Sequence, residues 1–320
     1  MRNFVTSTEP LVSIDMPVYN GEEYIAQTID SLLSQDTDDF EIVISDNAST
    51  DRTSELCAEY VARDERVRYF RNDTNIGAVA NFDLVLALAR GKYFAWSSHN
   101  DIWDRTYLRK LLAGFANDVD AVLSASGVAA TDEHGNFLFT YPAIFELVAN
   151  DKFERLRRYL SQPEHLGKAN IIYGVMRRDA VLKAGGFKFW NSSVWGKDML
   201  LIFRLLSLGN LVVCNETLFY KRGKLEFVLV KGVELKSFGD RVHFFKHLLD
   251  ERAGYFLGCH RVIQLVDDLA FLQKIRLHLV VLRRATEMVW GQLDSLFFRY
   301  VASWLVYQRN KISWWFGSKA

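Results

Sequence analysis

Over the first 125 residues, short apolar runs and helix-spaced segments alternate with a regular beat, and few architectures accept that order. Leu11-Val-Ser-Ile-Asp-Met16 is an apolar run closed by Pro17, which reads as a strand followed by a loop. Gly21 to Ser34 places Ile25, Ile29, Leu32 and Leu33 on one helical face. Phe40-Glu-Ile-Val-Ile-Ser45 is a second strand, β-branched and suited to burial on both faces. A helix through Ala62, a strand from Val67 to Phe70 and a helix from about Gly77 to Ala89 follow. Further strands are expected from Lys92 to Trp96 and from Val119 to Ser124. Strands alternating with helices in this way predict right-handed βαβ units on a parallel sheet. Ligands of such sheets sit beyond the carboxyl ends of the strands, where the loops at 17–20, 46–51 and 97–101 fall.

Those loops carry the chemistry. Pro17-Val-Tyr-Asn20 sets an aromatic ring and an amide at a strand end, where Tyr19 either stacks on a nucleobase or packs on its own strand. Ser49, Thr50 and Asp51 are each suited to cap the next helix, and Asp51 reads as a cap before it reads as a ligand. Asp46 has no such use, and its carboxylate is placed to accept from a base N–H. In Ser97-Ser-His-Asn-Asp101, Asp101 either caps a turn before Trp103 or holds Mg²⁺ or Mn²⁺, hard ions that take oxygen ligands and bridge to diphosphate. His99 alone reads as an ordinary hydrogen-bonding loop residue.

Taken together, Val12-Ser-Ile-Asp-Met-Pro-Val-Tyr-Asn20, Ile44-Ser-Asp-Asn-Ala-Ser-Thr-Asp51, Asn75-Ile-Gly77, Arg90-Gly-Lys-Tyr93 and His99-Asn-Asp101 resemble the family 2 glycosyltransferases of the GT-A fold. The likeness runs from about Leu11 to Tyr220. It implies a Rossmann-like, mixed and mostly parallel sheet flanked by helices, and an inverting, metal-assisted transfer from a nucleotide sugar. By that resemblance Pro17, Tyr19 and Asn20 line the nucleotide pocket, Asp46 accepts from the base edge, His99 and Asn100 lie near the ribose, and Asp101 is the ligand of Mn²⁺ or Mg²⁺. The chain departs from the family where two or three adjacent acids are usual and it has His, Asn, Asp. It departs again at Tyr220-Lys-Arg-Gly223, where relatives place a histidine; Arg222 or Lys224 is left to meet the diphosphate.

The second half is read as the acceptor side. Ile171 to Met176 is expected as a strand, Arg177 to Ala184 as a helix stopped by Gly185-Gly186, and Met199 to Leu208 as an apolar helix. Asp198, just before that helix, is either its cap or, as the resemblance implies, the base that deprotonates an acceptor hydroxyl. Neighbouring Lys197 is expected to lower its pKa. Trp190 and Trp195 suit stacking on a sugar acceptor or burial in the core.

The organisation expected is a glycosyltransferase domain over 1–230, with donor and acceptor halves at 1–125 and 126–230, and a helical extension over 231–320. From Arg241 onward twelve basic residues face six acidic ones, so this tail carries about +6 within a chain of net charge zero. Apolar stretches over 264–284, 296–307 and 314–316 suit interfacial membrane contact, packing on the first domain, or pairing with a second copy. No run of eighteen uncharged apolar residues exists, the N-terminus lacks a signal-peptide layout, and Cys57, Cys214 and Cys259 form no disulfide framework. A cytoplasmic location, with or without peripheral contact at the cytoplasmic face of a membrane, is expected, and neutral net charge gives no reason to expect a nucleic-acid partner. The partners implied are a nucleotide sugar, UDP-linked by preference, and a glycan or lipid-linked acceptor. A sugar nucleotidyltransferase is the rival enzyme, but its Gly- and Lys/Arg-rich phosphate loop is missing after the first strand. A catalytically silent nucleotide-sugar binder is the other rival, separable by turnover.

Overall fold

A computed structural model describes residues 9–189, 195–223 and 238–290. Trp190, Lys224 and the apolar stretches 296–307 and 314–316 lie outside the described residues.

Among the described residues nine strands form one mixed sheet in the order β3-β2-β1-β4-β8-β6-β9-β5, with β7 paired to β6. Its first half is parallel and doubly wound: β1 (Val12–Val18), β2 (Phe40–Asp46), β3 (Val67–Arg71) and β4 (Tyr93–Trp96). Every residue of β1, β2 and β4 is buried, because helices cover both faces. The helices are α1 (Ile25–Leu33), α2 (Thr53–Arg63) and α3 (Ala78–Leu88). Pro17 does not end β1. It pairs in register with Ser45, and the strand continues to Val18. α1 starts at Ile25 because Gly21–Tyr24 forms a turn whose Gly21 carbonyl accepts from Ile25 N–H.

The second half mixes directions. β5 (Ile102–Trp103) and α4 (Tyr107–Asn117) lead into β6 (Ala121–Thr131), which pairs with β7 (Phe137–Thr140) and runs parallel to β9 (Asn210–Arg222). β6 starts two residues later than expected, since Val119 stands 80% exposed in the turn after α4. It also runs seven residues longer, through the small side chains Ala125-Ser-Gly-Val-Ala-Ala130, all buried. The strand expected from Ile171 is largely a 3-10 turn over Lys168–Tyr173, and only β8 (Val175–Arg177) pairs with the sheet. Lys168 holds that turn: its buried ammonium donates to the carbonyls of Tyr159 and Gln162, on and just after α5 (Lys152–Ser161). α6 (Arg178–Ala184) stops at Gly185, whose positive φ closes the helix as expected.

α7 (Lys197–Leu208) is buried along most of its length beside the sheet. α8 (Phe238–Gln264) and α9 (residues 271–290) then join the same core through Tyr255, Cys259, Val262, Ile263, Leu277 and Val281. All three cysteines are free thiols. Among the described residues no helix is long and apolar enough to cross a membrane.

Candidate active site

The carboxyl ends of β1, β2 and β4 bring the loops at 17–20, 46–51 and 97–101 together. Tyr19 emerges from β1 with 45% of its surface exposed, as a stacking residue requires. Pro17 is buried within the strand and shapes the loop from behind. Asn20, with φ +52°, ties two loops: its N–H donates to Ser49 Oγ and its Oδ1 accepts from Thr50 N–H. Its amide therefore orders the pocket wall. Asp51 stands one residue before Arg52, the cap position of α2, where it accepts from Thr53 N–H, and its second oxygen accepts from Glu22 N–H.

Asp46 departs from its expected role. The side chain is wholly buried, one oxygen accepting from Ser49 N–H and the other from Tyr69 Oη and Arg71 Nη1 at 2.7 Å each. The loop and β3 thus hold this buried carboxylate from both sides, and the group left at the surface is Arg71, 42% exposed. The sequence reading passed over Arg71, although its place at the end of β3 beside Asp46 follows from the strand register.

The loop after β4 is built around one carboxylate. Asp101 Oδ1 accepts from Arg222 N–H at 2.8 Å and Oδ2 from Ser98 Oγ at 2.6 Å, while its carbonyl is held by Thr28 of α1. Burial pushes its carboxyl up, against the pull of the Ser98 hydroxyl, Lys221 and Arg222. Asn100 Oδ1 lies 2.8 Å from the same Ser98 Oγ. One hydroxyl proton serves two acceptor oxygens, so one of them is always unsatisfied by Ser98. Both oxygens thus converge on one hydroxyl, and oxygen is the ligand type that a hard divalent cation takes. Among the described residues no three His, Cys, Asp or Glu side chains cluster to form a full cage. His99 precedes Asn100 in the same loop. Its ring packs where a Cβ on Gly21 would come within 3.0 Å, and burial holds its pKa low although Asp51 opposes the shift.

Across the cleft, α7 begins two residues earlier than expected, with Gly196 as its cap, so Asp198 stands inside the first turn and not in the capping position. It lines a cleft of about 700 Å³ together with Tyr173, Phe82, Glu164, His165 and Trp195. Burial raises the Asp198 carboxyl above its ordinary value, opposed by Met199 N–H and Lys221. The expectation that Lys197 would lower it fails: Lys197 acts instead on Asp83 of α3, and the cation felt by Asp198 comes from β9.

That cation, Lys221, was missed. Its ammonium donates to Asn170 Oδ1 at 2.9 Å, lies 5.6 Å from the centre of the Tyr173 ring, and acts on both Asp101 and Asp198. Tyr173 in turn feels both carboxylates, which burial and their charge push further from ionisation. Arg222, expected at the diphosphate, points the other way, as alternation along a strand demands. Its guanidinium donates to Gln27 and lies 4.4 Å over Tyr24, at the start of α1. Reading β9 with period two would have separated Lys221 from Arg222. Trp195, expected at the acceptor, stands at the cleft edge-on to Tyr255 and under the Arg252 guanidinium.

Comparison with known proteins agrees with this arrangement. The family model described as glycosyl transferase family 2 matches residues 13–181. An uncharacterized glycosyltransferase of Methanocaldococcus jannaschii is 28% identical over 190 residues, covering 57% of this chain and 64% of the relative. The putative teichuronic acid biosynthesis glycosyltransferase TuaG of Bacillus subtilis is 32% identical over 131 residues, covering 41% and 52%. The matches thus span between half and two thirds of these relatives' own length. Among solved structures, S. aureus TarS 1–349 in complex with UDP-GlcNAc superposes with a TM-score of 0.59 at 18% identity, covering 85% of this chain and 72% of that one. The mannosyltransferase PcManGT from Pyrobaculum calidifontis, in complex with GDP-Man and Mn²⁺, gives 0.52 at 13% identity, covering 96% and 83%. The fold is GT-A, and with more than half its length matched by the family model the chain belongs to glycosyl transferase family 2.

Proposed function

We propose that this protein moves a sugar from a nucleoside diphosphate donor, a UDP-sugar first among candidates, to a hydroxyl of a glycan or lipid-linked acceptor, with inversion at the anomeric carbon. The observation that carries this reading is Asp198, a carboxylate of raised pKa on a roomy cleft, facing the Asp101 loop across Tyr173 and Lys221. In this reading residues up to 125 grip the donor and residues 126–223 the acceptor, with the helices of 238–290 as an appended layer.

Tyr19 stacks on the base at the rim, and Arg71, positioned by the buried Asp46, meets its edge. Asp101 and Asn100 would hold Mn²⁺ or Mg²⁺, which would offset charge on the departing diphosphate. Lys221 adds a second positive charge on the same side of the cleft. Asp198 takes the proton of the acceptor hydroxyl as that oxygen attacks the anomeric carbon from the face opposite the leaving group. Phe82, Phe187 and Trp195 wall the cleft and exclude water that would otherwise compete. Nucleotide sugars in the TarS and PcManGT complexes support the donor class, Mn²⁺ in the latter supports the metal, and the teichuronic acid assignment of TuaG supports a cell-envelope polysaccharide as product.

The Asp198→Asn protein is the test. Transfer should fall by about 10²–10⁴-fold, while stabilisation by the donor nucleotide sugar persists. Transfer at the wild-type rate would remove Asp198 from the mechanism.

A further inference from the structure

α9 is amphipathic twice over. Its inner stripe, with Leu277 and Val281, is sealed in the core, and Arg284 reaches inward to pair with Glu164 at 2.8 Å. Its outer stripe is equally apolar and uncovered by any described residue. Phe271, Leu272, Ile275, Leu279, Leu282 and Trp290 are between 38% and 75% exposed. At 3.6 residues per turn these six fall within an arc of about 100°. Arg276 and Arg283 border that arc on one side and Lys274 on the other. The arc continues onto α8, where exposed Leu257 shares with Leu282 and Val289 an apolar groove of about 430 Å³ between the two helices.

We infer that this outer face of α9 lies in the surface of an anionic lipid bilayer. The charge pattern selects that occupant over a second copy of the chain. Two-fold pairing of α9 through its apolar arc sets cationic borders against cationic borders, whether the helices run parallel or antiparallel. Glu287 is the sole acid on α9, and it is already engaged by Arg283 and Arg284. Arg283 being held by Glu287, the cations left for acidic headgroups are Arg276 on one border and Lys274 on the other, with Asp267 and Asp268 just before the helix, while the arc enters the acyl boundary. The charged residues that border the arc keep the helix from spanning, consistent with the absence of a membrane-crossing helix among the described residues.

The location has a use, which rests on the lipid-linked acceptor proposed above. Glu164 lines the Asp198 cleft and is bound both by Arg284 of α9 and by Lys168 beneath it. The membrane-facing helix is thereby tied by a largely buried ion-pair chain to the wall of the acceptor site, about one helix diameter away. A protein so seated would share the bilayer surface with a lipid-linked acceptor.

The test is flotation of the full-length protein with vesicles of phosphatidylcholine, alone or mixed with phosphatidylglycerol, read without any transfer assay so that it can fail independently of the enzymatic reading. Wild type should float with the mixed vesicles and far less with phosphatidylcholine alone. Leu272→Ser combined with Leu279→Ser should lower the partition at least about tenfold, and Arg276→Ala about fivefold. These positions are exposed, and unchanged thermal unfolding confirms the variants are folded. Wild type that stays in solution overturns the inference, whether a second copy seen by light scattering or the chain's own C-terminal residues cover the face. Undiminished flotation of the double leucine variant overturns it equally.

Discussion

A carboxylate that must accept a proton at neutral pH works best when its own pKa lies nearer that pH than a surface aspartate's does. Asp198 reaches that condition by burial, with Lys221 pulling the other way. The base must be ionised, so activity should be lost as pH falls through the raised pKa. The acid limb of kcat should therefore lie above the ordinary aspartate range near 4. Lys221→Met removes the opposing charge and should move that limb further up, whereas a lysine with a purely structural role would leave its position unchanged. Asp15 presents a different case. It is fully buried in β1, neither oxygen has a hydrogen-bond partner, and burial reinforced by Glu41 drives its pKa far up against Arg68 and Arg178. A raised carboxyl pKa favours folding below the unfolded value and costs stability as pH rises through the folded one. Asp15→Asn should accordingly gain at least about 1 kcal/mol at pH 7.5 and little at pH 4, as measured by urea denaturation. Equal pH dependence in the two proteins would show that Asp15 is solvated in a way its burial denies.

Among the elements, motif residues that look functional in the sequence prove to hold strands in place. Arg90 donates from Nε and Nη2 to Glu41, Ser13 donates to the same carboxylate, and Gly91 N–H donates to Ser13 Oγ. A Cβ on Gly91 would sit 2.5 Å from the backbone nitrogen of Ser13, with no side chain free to give way. Gly91→Ala should thus separate β1 from β4 at their starts and cost about 1–3 kcal/mol, with a lower Tm as readout; a neutral result would mean the turn relocates freely. Asn75 and Asn47 bridge two loops in the same manner. The doubly wound half of the sheet was legible because its short apolar strands, buried throughout in β1, β2 and β4, alternate with helix-spaced segments and flanking turns that show in the chain. β6 was cut short because a run of Ala, Ser and Gly shows no period. Ile171-Ile-Tyr173 misled because two β-branched residues were buried by a lysine-anchored turn and not by strand pairing. Asp101 and Asp198 could be picked out by type and place, but Lys221 and Arg71 could not, since their roles depend on which strand face meets which loop.

On the scale of the molecule, the Asp198 cleft is lined by α3 from the first half of the chain and by residues from Glu164 to Met199 of the second, the proposed donor and acceptor sides. The charge asymmetry of the chain falls elsewhere, with the excess positive charge in the residues from Arg241 onward. The central claim is that a cation seated at Asp101 joins the enzyme to the diphosphate of a nucleotide sugar. The most direct measurement is thermal unfolding of the purified protein against a panel of nucleotide sugars, with and without Mn²⁺, for wild type and Asp101→Ala. A saturating donor should stabilise wild type by about 2.7 kcal/mol at a hundredfold excess over Kd, only when Mn²⁺ is present, and should leave Asp101→Ala unmoved. A flat response across the panel, or equal stabilisation of both proteins without metal, would contradict it.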